Sequence, residues 1–111
     1  MAYVIKNIKH TTLFNKLGRF LKVQNLRSHR GGDVVPNQFV LYFKNGLVYQ
    51  SYNIIIAVKW LADGAVWVNN EFDCSNTTRN YTTDFLDRDY KTIKKLMEEG
   101  VYKILNIDYY A

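Results

Sequence analysis

At 111 residues, with 48% hydrophobic and 23% charged side chains, the chain has the composition of one globular domain, too apolar for a disordered segment. No apolar run approaches the about 20 residues that span a bilayer, and the start MAYVIKNIKH lacks the features of a secretion signal. A single cysteine, Cys74, rules out an internal disulfide framework, so the expectation is a soluble cytoplasmic protein with no membrane partner.

The net charge of +5 is unevenly spread. Lys6, Lys9, Lys16, Arg19, Lys22, Arg27 and Arg30 stand between Met1 and Gly32 without one acid, whereas from Glu71 onward eight acids meet six bases. A one-sided basic segment projects a positive field that attracts phosphate or an acidic protein face. The plainer reading is that these cations only solubilise a helix and a loop.

In chain order, Met1–Lys9 is predicted as a short edge strand. Thr11 or Thr12 then caps a helix beginning at Leu13, since a hydroxyl accepts from the first free amides. In LFNKLGRFLKV, Leu13, Phe14, Leu17, Phe20 and Leu21 share one helical face, opposite Asn15, Lys16, Arg19 and Lys22. The prediction is a basic amphipathic helix that covers the sheet, with Gly18 its weak point. RSHRGGDVVPNQ, with Gly31-Gly32 and Pro36, reads as a loop. Its double glycine lacks the strand-loop-helix frame and the lysine-serine/threonine ending of a nucleotide loop.

The sheet signals follow. FVLYF and LVYQSY flank Asn45-Gly46, the strongest short hairpin signal because both turn positions favour positive φ. A two-residue turn sets Phe43 opposite Val48, Tyr42 opposite Tyr49 and Val40 opposite Ser51. Asp63-Gly64 makes a second hairpin, with Leu61 opposite Val66 and Trp60 opposite Trp67. Between them, either Tyr52-Asn53 turns to give a four-stranded meander, or Leu47–Leu61 is one strand bent near Asn53. In the meander one face carries Val40, Tyr42, Leu47, Tyr49, Ile54, Ile56, Val58, Trp60 and Trp67. The other carries Phe39, Leu41, Phe43, Val48, Tyr52, Ile55, Leu61, Val66 and Val68. Both are apolar, as in a sheet covered on two sides or curled towards a barrel. If helices cover only one face, a second subunit or another partner must cover the other.

The last third returns to helix over residues 84–99. Asp84, Asp87 and Asp89 favour its start, Tyr90, Ile93, Leu96 and Met97 form its buried stripe, and Gly100 ends it. VYKILNI comes back as a strand over 101–107. The predicted fold is α+β: a small, strongly bent antiparallel sheet of 3–5 strands, with a basic amphipathic N-terminal helix and a C-terminal helix. It is one domain, with a basic segment 1–32 and a β core 38–70.

Catalytic chemistry finds little footing. His10, His29 and Cys74 match no zinc spacing, and Cys74 reads as a small buried hydrophobe before it reads as a nucleophile. Helix-start electrostatics accounts for the aspartates better than a cation site does. No catalytic residue, metal or cofactor is expected, and the enzyme class ranks last. Binding has more support, because aromatics on a sheet stack on bases while cations hold phosphates. Phe39, Phe43, Trp60 and Phe85 read as core, whereas Tyr42, Tyr49, Tyr109 and Tyr110 read as open. The candidate binding residues are Lys16, Arg19, Lys22, Arg27 and Arg30, with Tyr49, Gln50, Tyr52 and Asn53 of the YQSYN stretch.

Two stretches together carry a resemblance: YQSYNIIIAV, then FDCSNTTRNYTTDFL. The first contributes Gln50, Ser51, Tyr52, Asn53, Ile55, Ile56 and Ala57. The second contributes Phe72, Asp73, Ser75, Thr77, Thr78, Tyr81, Phe85 and Leu86. The pattern resembles a small uncharacterised domain of phages and mobile elements of low-GC Gram-positive bacteria, with Cys74 where that pattern has tyrosine. It covers Phe39–Leu86 and leaves out the basic N-terminal third. The resemblance implies a context rather than a mechanism: stoichiometric binding to host machinery. The expectation is a non-enzymatic accessory protein that binds and inhibits a host nucleic-acid-handling protein or nucleoprotein complex, in the manner of an anti-CRISPR. The alternative is direct binding of DNA or RNA by the basic third.

Overall fold

A computed structural model of the chain describes residues 3–28 and 31–109. Its elements are β1 (Ile5–Lys9), α1 (His10–Leu17), β2 (Phe20–Arg27), β3 (Val34–Phe43), β4 (Gly46–Ser51), β5 (Ile54–Trp60), β6 (Val66–Asn69), α2 (Asn76–Leu86), α3 (Tyr90–Glu98) and β7 (Lys103–Asp108). The strands form a single seven-stranded sheet in the order β1-β7-β6-β5-β4-β3-β2. This corrects the expected small antiparallel sheet of three to five strands. β2 to β6 run as an antiparallel meander, with Ser51 opposite Ile54 across a Tyr52-Asn53 turn. β7 pairs in parallel with both β6 and β1, so the sheet is mixed. Local patterning does not register a pairing such as Ile5 with Ile104, which joins the two ends of the chain.

The predicted N-terminal helix is half helix and half strand. α1 starts at His10, before either threonine, and has no side-chain cap. It stops at Gly18, whose φ of 79° is a conformation that ends helices, and whose N–H bonds back to Phe14. Beyond it Phe20 and Leu21 lie on an exposed strand rather than a buried helical stripe. Over so short a run helical and strand periods overlap, and the ten-residue β3 supplies the pairing that decides for strand. The predicted C-terminal helix is two helices. Ser75 caps α2 by accepting from the Thr78 N–H at 3.1 Å, and Asp89 caps α3 by accepting from the Thr92 N–H at 2.7 Å. Asp87, in the left-handed region at φ 53°, closes α2, so of the three aspartates only Asp89 sits at a helix start.

Both hairpins contain their predicted turn residues in a different register. Tyr42 lies opposite Leu47 and Val40 opposite Tyr49, and neither Asn45 nor Gly46 takes positive φ. The Asn-Gly pair instead anchors α1. The Asn45 N–H bonds the Leu17 carbonyl at 3.0 Å, and the Asn45 side-chain amide bonds the Lys16 carbonyl at 3.0 Å. In the second hairpin Val58 faces Trp67, and the Trp60 and Trp67 rings meet diagonally, edge to face, at 4.8 Å. A register shift between Tyr49 and Gln50 leaves Ile56 as the extra residue on β5. Beyond such a bulge, side chains change face. Val58, Trp60 and Trp67 therefore join Val48 and Phe43 on one side, while Val66 and Val68 join Tyr49 on the other, the reverse of the predicted arrangement.

Two cores result. α2 and α3, which form the crossover from β6 to β7, bring Phe85, Leu86, Ile93 and Met97 onto Tyr49, Ile56 and Val68. On the opposite face Leu13 and Leu17 of α1 pack on Phe43, Val48, Val58 and Trp67. Helices thus cover both faces, which removes the open aromatic face as a reason for a second subunit. Lys59 reaches from β5 to donate to the Phe85 carbonyl at 2.6 Å, at the end of α2. Burial lowers its pKa, with Asp87 opposing that shift.

Candidate partner-binding surface

β2 is one edge of the sheet, and it is exposed along its length except at Leu26. Of the predicted cations, Lys22 and Arg27 lie on this strand, Arg19 just before it and Lys16 near the end of α1; all four are exposed. The Lys22 ammonium sits 4.5 Å above the Tyr42 ring on the α2/α3 side, a contact that orients it without neutralising it. Arg27 donates to the Gly32 carbonyl at 2.8 Å, and its own carbonyl accepts from the Tyr81 hydroxyl at 3.3 Å, so the far end of the strand is tied down. Arg30 lies outside the described residues. Between the cations, Phe20 and Val23 are 52% and 51% exposed, although both are large and apolar. They lie on the α1 side, with Phe20 against Phe43 and Val23 opposite Leu41, beyond the reach of that short helix.

The YQSYN residues do not join this edge as one group. Tyr49 is fully buried at 0% exposure, which overturns its reading as an open aromatic. Its hydroxyl donates to Gln38, itself 2% exposed, and burial pushes the phenol pKa well above its usual value. Tyr52 is 64% exposed and holds φ 56°, and Asn53 is exposed beside it in the turn. Gln50 is half-buried and donates to the Tyr52 carbonyl at 2.7 Å, which fixes that turn. Arg27 shares this end of the sheet with them, across residues 34–38; Lys16, Arg19 and Lys22 stand at the other end.

Residues 35–38 form the feature that the sequence reading passed over as loop. The β2–β3 register slips between Asn25 and Arg27, where Pro36 has no N–H to offer and Asn37 holds φ 66°. The bulge opens a cleft of about 630 Å³ against the start of α2. Val35, Pro36 and Ile56 make its apolar walls, and Gln38, Ser51 and Thr78 its polar floor. Ser51 Oγ and Thr78 Oγ1 lie 3.5 Å apart, so the two stretches that carry the family resemblance meet here. A proline inside a Val-rich run was the available signal, since proline in a strand marks a break in pairing.

Cys74 lines this cleft and is exposed, which corrects its reading as a buried hydrophobe. His10 stacks on Phe14 and Tyr109 on the α1 side, and His29 lies outside the described residues. Tyr109 is exposed, as read, whereas Tyr42 is half-buried against the α2/α3 core and not open; Tyr110 lies outside the described residues. Phe43 and Phe85 are core, whereas Phe39 and Trp60 are half-buried. Among the described residues no cluster of histidine, cysteine and carboxylate side chains is placed to hold a metal, and no helix is long and apolar enough to cross a membrane.

A meander closed by a helical crossover, with a bulge cleft where its two signature stretches meet, makes this a small α+β domain. The chain belongs to a family of unknown function, DUF8033, whose model matches residues 21–100. That span runs from β2 to the end of α3, wider than the resemblance read from sequence, and takes in Lys22 and Arg27. No curated protein and no solved structure matches the chain.

Proposed function

We propose that this chain is a non-enzymatic accessory protein of the phage and mobile-element kind. It binds and inhibits a host nucleic-acid-handling protein or nucleoprotein complex, anti-CRISPR inhibition being one specific form. The observation that carries the reading is the β2 edge: Arg19, Lys22 and Arg27 exposed beside Phe20 and Val23, in a segment free of acids from Met1 to Gly32. Cations around an apolar centre suit an acidic protein face, where charge steers the encounter and apolar contact holds it. The resemblance to phage and mobile-element domains supplies the host context.

Reversing Lys22 and Arg27 together to glutamate is expected to weaken capture of the partner from a low-GC Gram-positive host lysate by about tenfold or more. Capture unchanged by the double reversal, or no partner recovered, overturns the reading. The exposed Phe20 ring beside Arg19 and Lys22 also favours a second reading, direct binding of single-stranded DNA or RNA by stacking and phosphate contact. That reading requires affinity falling steeply with salt, and an absence of gel shift at low salt removes it.

A further inference from the structure

We infer that β2 is a strand-addition site: the partner supplies an extended segment, alternating acidic and apolar residues, that pairs with β2 as an eighth strand of the sheet. The inference rests on the protein-binding reading above and specifies its mode.

An edge strand presents a row of backbone N–H and C=O groups with no ladder partner, and natural sheets blunt such edges by shortening, burying or bulging them. β2 has eight residues, is exposed at seven of them, and is paired only with β3; that ladder slips between Phe20 and Lys22 and again between Asn25 and Arg27, so residues 22–25 are the regular stretch of the edge. Its side chains differ between the two faces. Lys22 and Gln24 lie on the α2/α3 side, opposite Tyr42 and Val40, while Phe20, Val23 and the half-buried Leu41 form an apolar strip on the α1 side. A strand laid beside β2 places alternate side chains on these two faces. Its residues beside Lys22 meet a cation, and those beside Phe20 and Val23 meet uncovered apolar surface. An acidic-apolar alternation satisfies both at once.

Charge also chooses between occupants. A second copy pairing antiparallel through its own β2 brings Lys22 and Arg27 of both chains into one ribbon without an intervening acid, and like charges side by side oppose that pairing. The other edge, β1, carries Lys6 and Lys9 and is equally unsuited to pair with β2 of another copy. An acidic segment meets no such opposition, and main-chain pairing supplies affinity while the alternating faces supply selectivity.

The test uses the full chain and a synthetic peptide of alternating glutamate and valine, matched to the eight residues of β2. Hydrogen exchange is followed residue by residue, and affinity is compared with that of the same peptide N-methylated at alternate backbone positions. Expected are binding, protection gained at alternate amides within residues 22–25 of β2 and none at β1, and a loss of about tenfold or more on N-methylation. Equal binding of the N-methylated peptide, protection at β1 in place of β2, or no binding overturns the inference. The same exchange measurement on a captured partner complex separates the two readings. A partner lost on Lys22→Glu/Arg27→Glu that leaves β2 amides unprotected refutes strand addition and leaves the binding reading standing. Peptide addition at β2 with no partner captured refutes the binding reading alone.

Discussion

Tyr49 shows how one buried hydroxyl ties an aromatic into a core. Its ring packs against Phe85 at 6.1 Å between centroids, and its hydroxyl satisfies Gln38, which has almost no access to water. Tyr49→Phe leaves that amide oxygen without its donor and is expected to cost about 1–3 kcal/mol in urea unfolding. Because burial raises the phenol pKa above its unfolded value of 10.0, the folded state keeps a proton that the unfolded state loses. The resulting stability is complete below that value and falls as pH rises above it. Lys59, with its pKa lowered by burial, works in the opposite direction, gaining stability as pH climbs towards the ordinary lysine value of 10.5. Comparing unfolding midpoints at about pH 8 and about pH 11, the Tyr49→Phe variant is expected to lose less stability than the wild type. An unchanged difference between the two proteins contradicts the burial argument.

At the scale of elements, Gly46 decides how α1 meets the sheet. A Cβ at this position lies 2.8 Å from Leu17 Cδ2 and 3.0 Å from the Lys59 carbonyl oxygen. The leucine end can swing, but the backbone oxygen belongs to β5 and cannot move without breaking the β4–β5 ladder. Gly46→Ala is therefore expected to destabilise by about 1–3 kcal/mol, the usual range for overpacking. A midpoint shift of the same sign in the Trp60–Trp67 fluorescence signal reports the disturbed α1 face. A neutral substitution refutes the close approach. The sequence marks this glycine as a turn residue; it is instead the first residue of β4, opposite Trp60, and the reason for it is space rather than positive φ.

At the scale of the molecule, the chain begins at one edge of the sheet and reaches the other edge in its next strand. Seven flat strands span about 29 Å between edge axes, whereas an eight-residue helix is about 12 Å long. α1 and its short flanks bridge the edges only because the sheet twists and curls around it. This places β4, β5 and β6 at the centre and leaves β1 and β2 peripheral. Native-state hydrogen exchange is expected to find the slowest amides in β4 and β5 and the fastest ladder amides in β2, which opens locally. Uniform protection across β2 to β5 contradicts that order.

The sequence by itself determined the local elements whose cause is local. The buried stripe of α3 with Asp89 at its start and Gly100 at its end, and the apolar character of both sheet faces, are written in patterns a few residues long, whereas the choice between a Tyr52-Asn53 turn and a bent strand was left to the β4–β5 pairing. It also marked the cations that stand at the β2 edge, because charge is read without a fold. Only the tertiary structure decided the rest. Residues Phe20–Arg27 became strand because β3 offers them a ladder, and the bulge at Ile56 exchanged the faces of Val58 and Trp60. β1 and β7 met because the chain's two ends pair in parallel. Each of these depends on contacts distant in sequence, whose free energy exceeds the small differences in local preference that a short window can reveal.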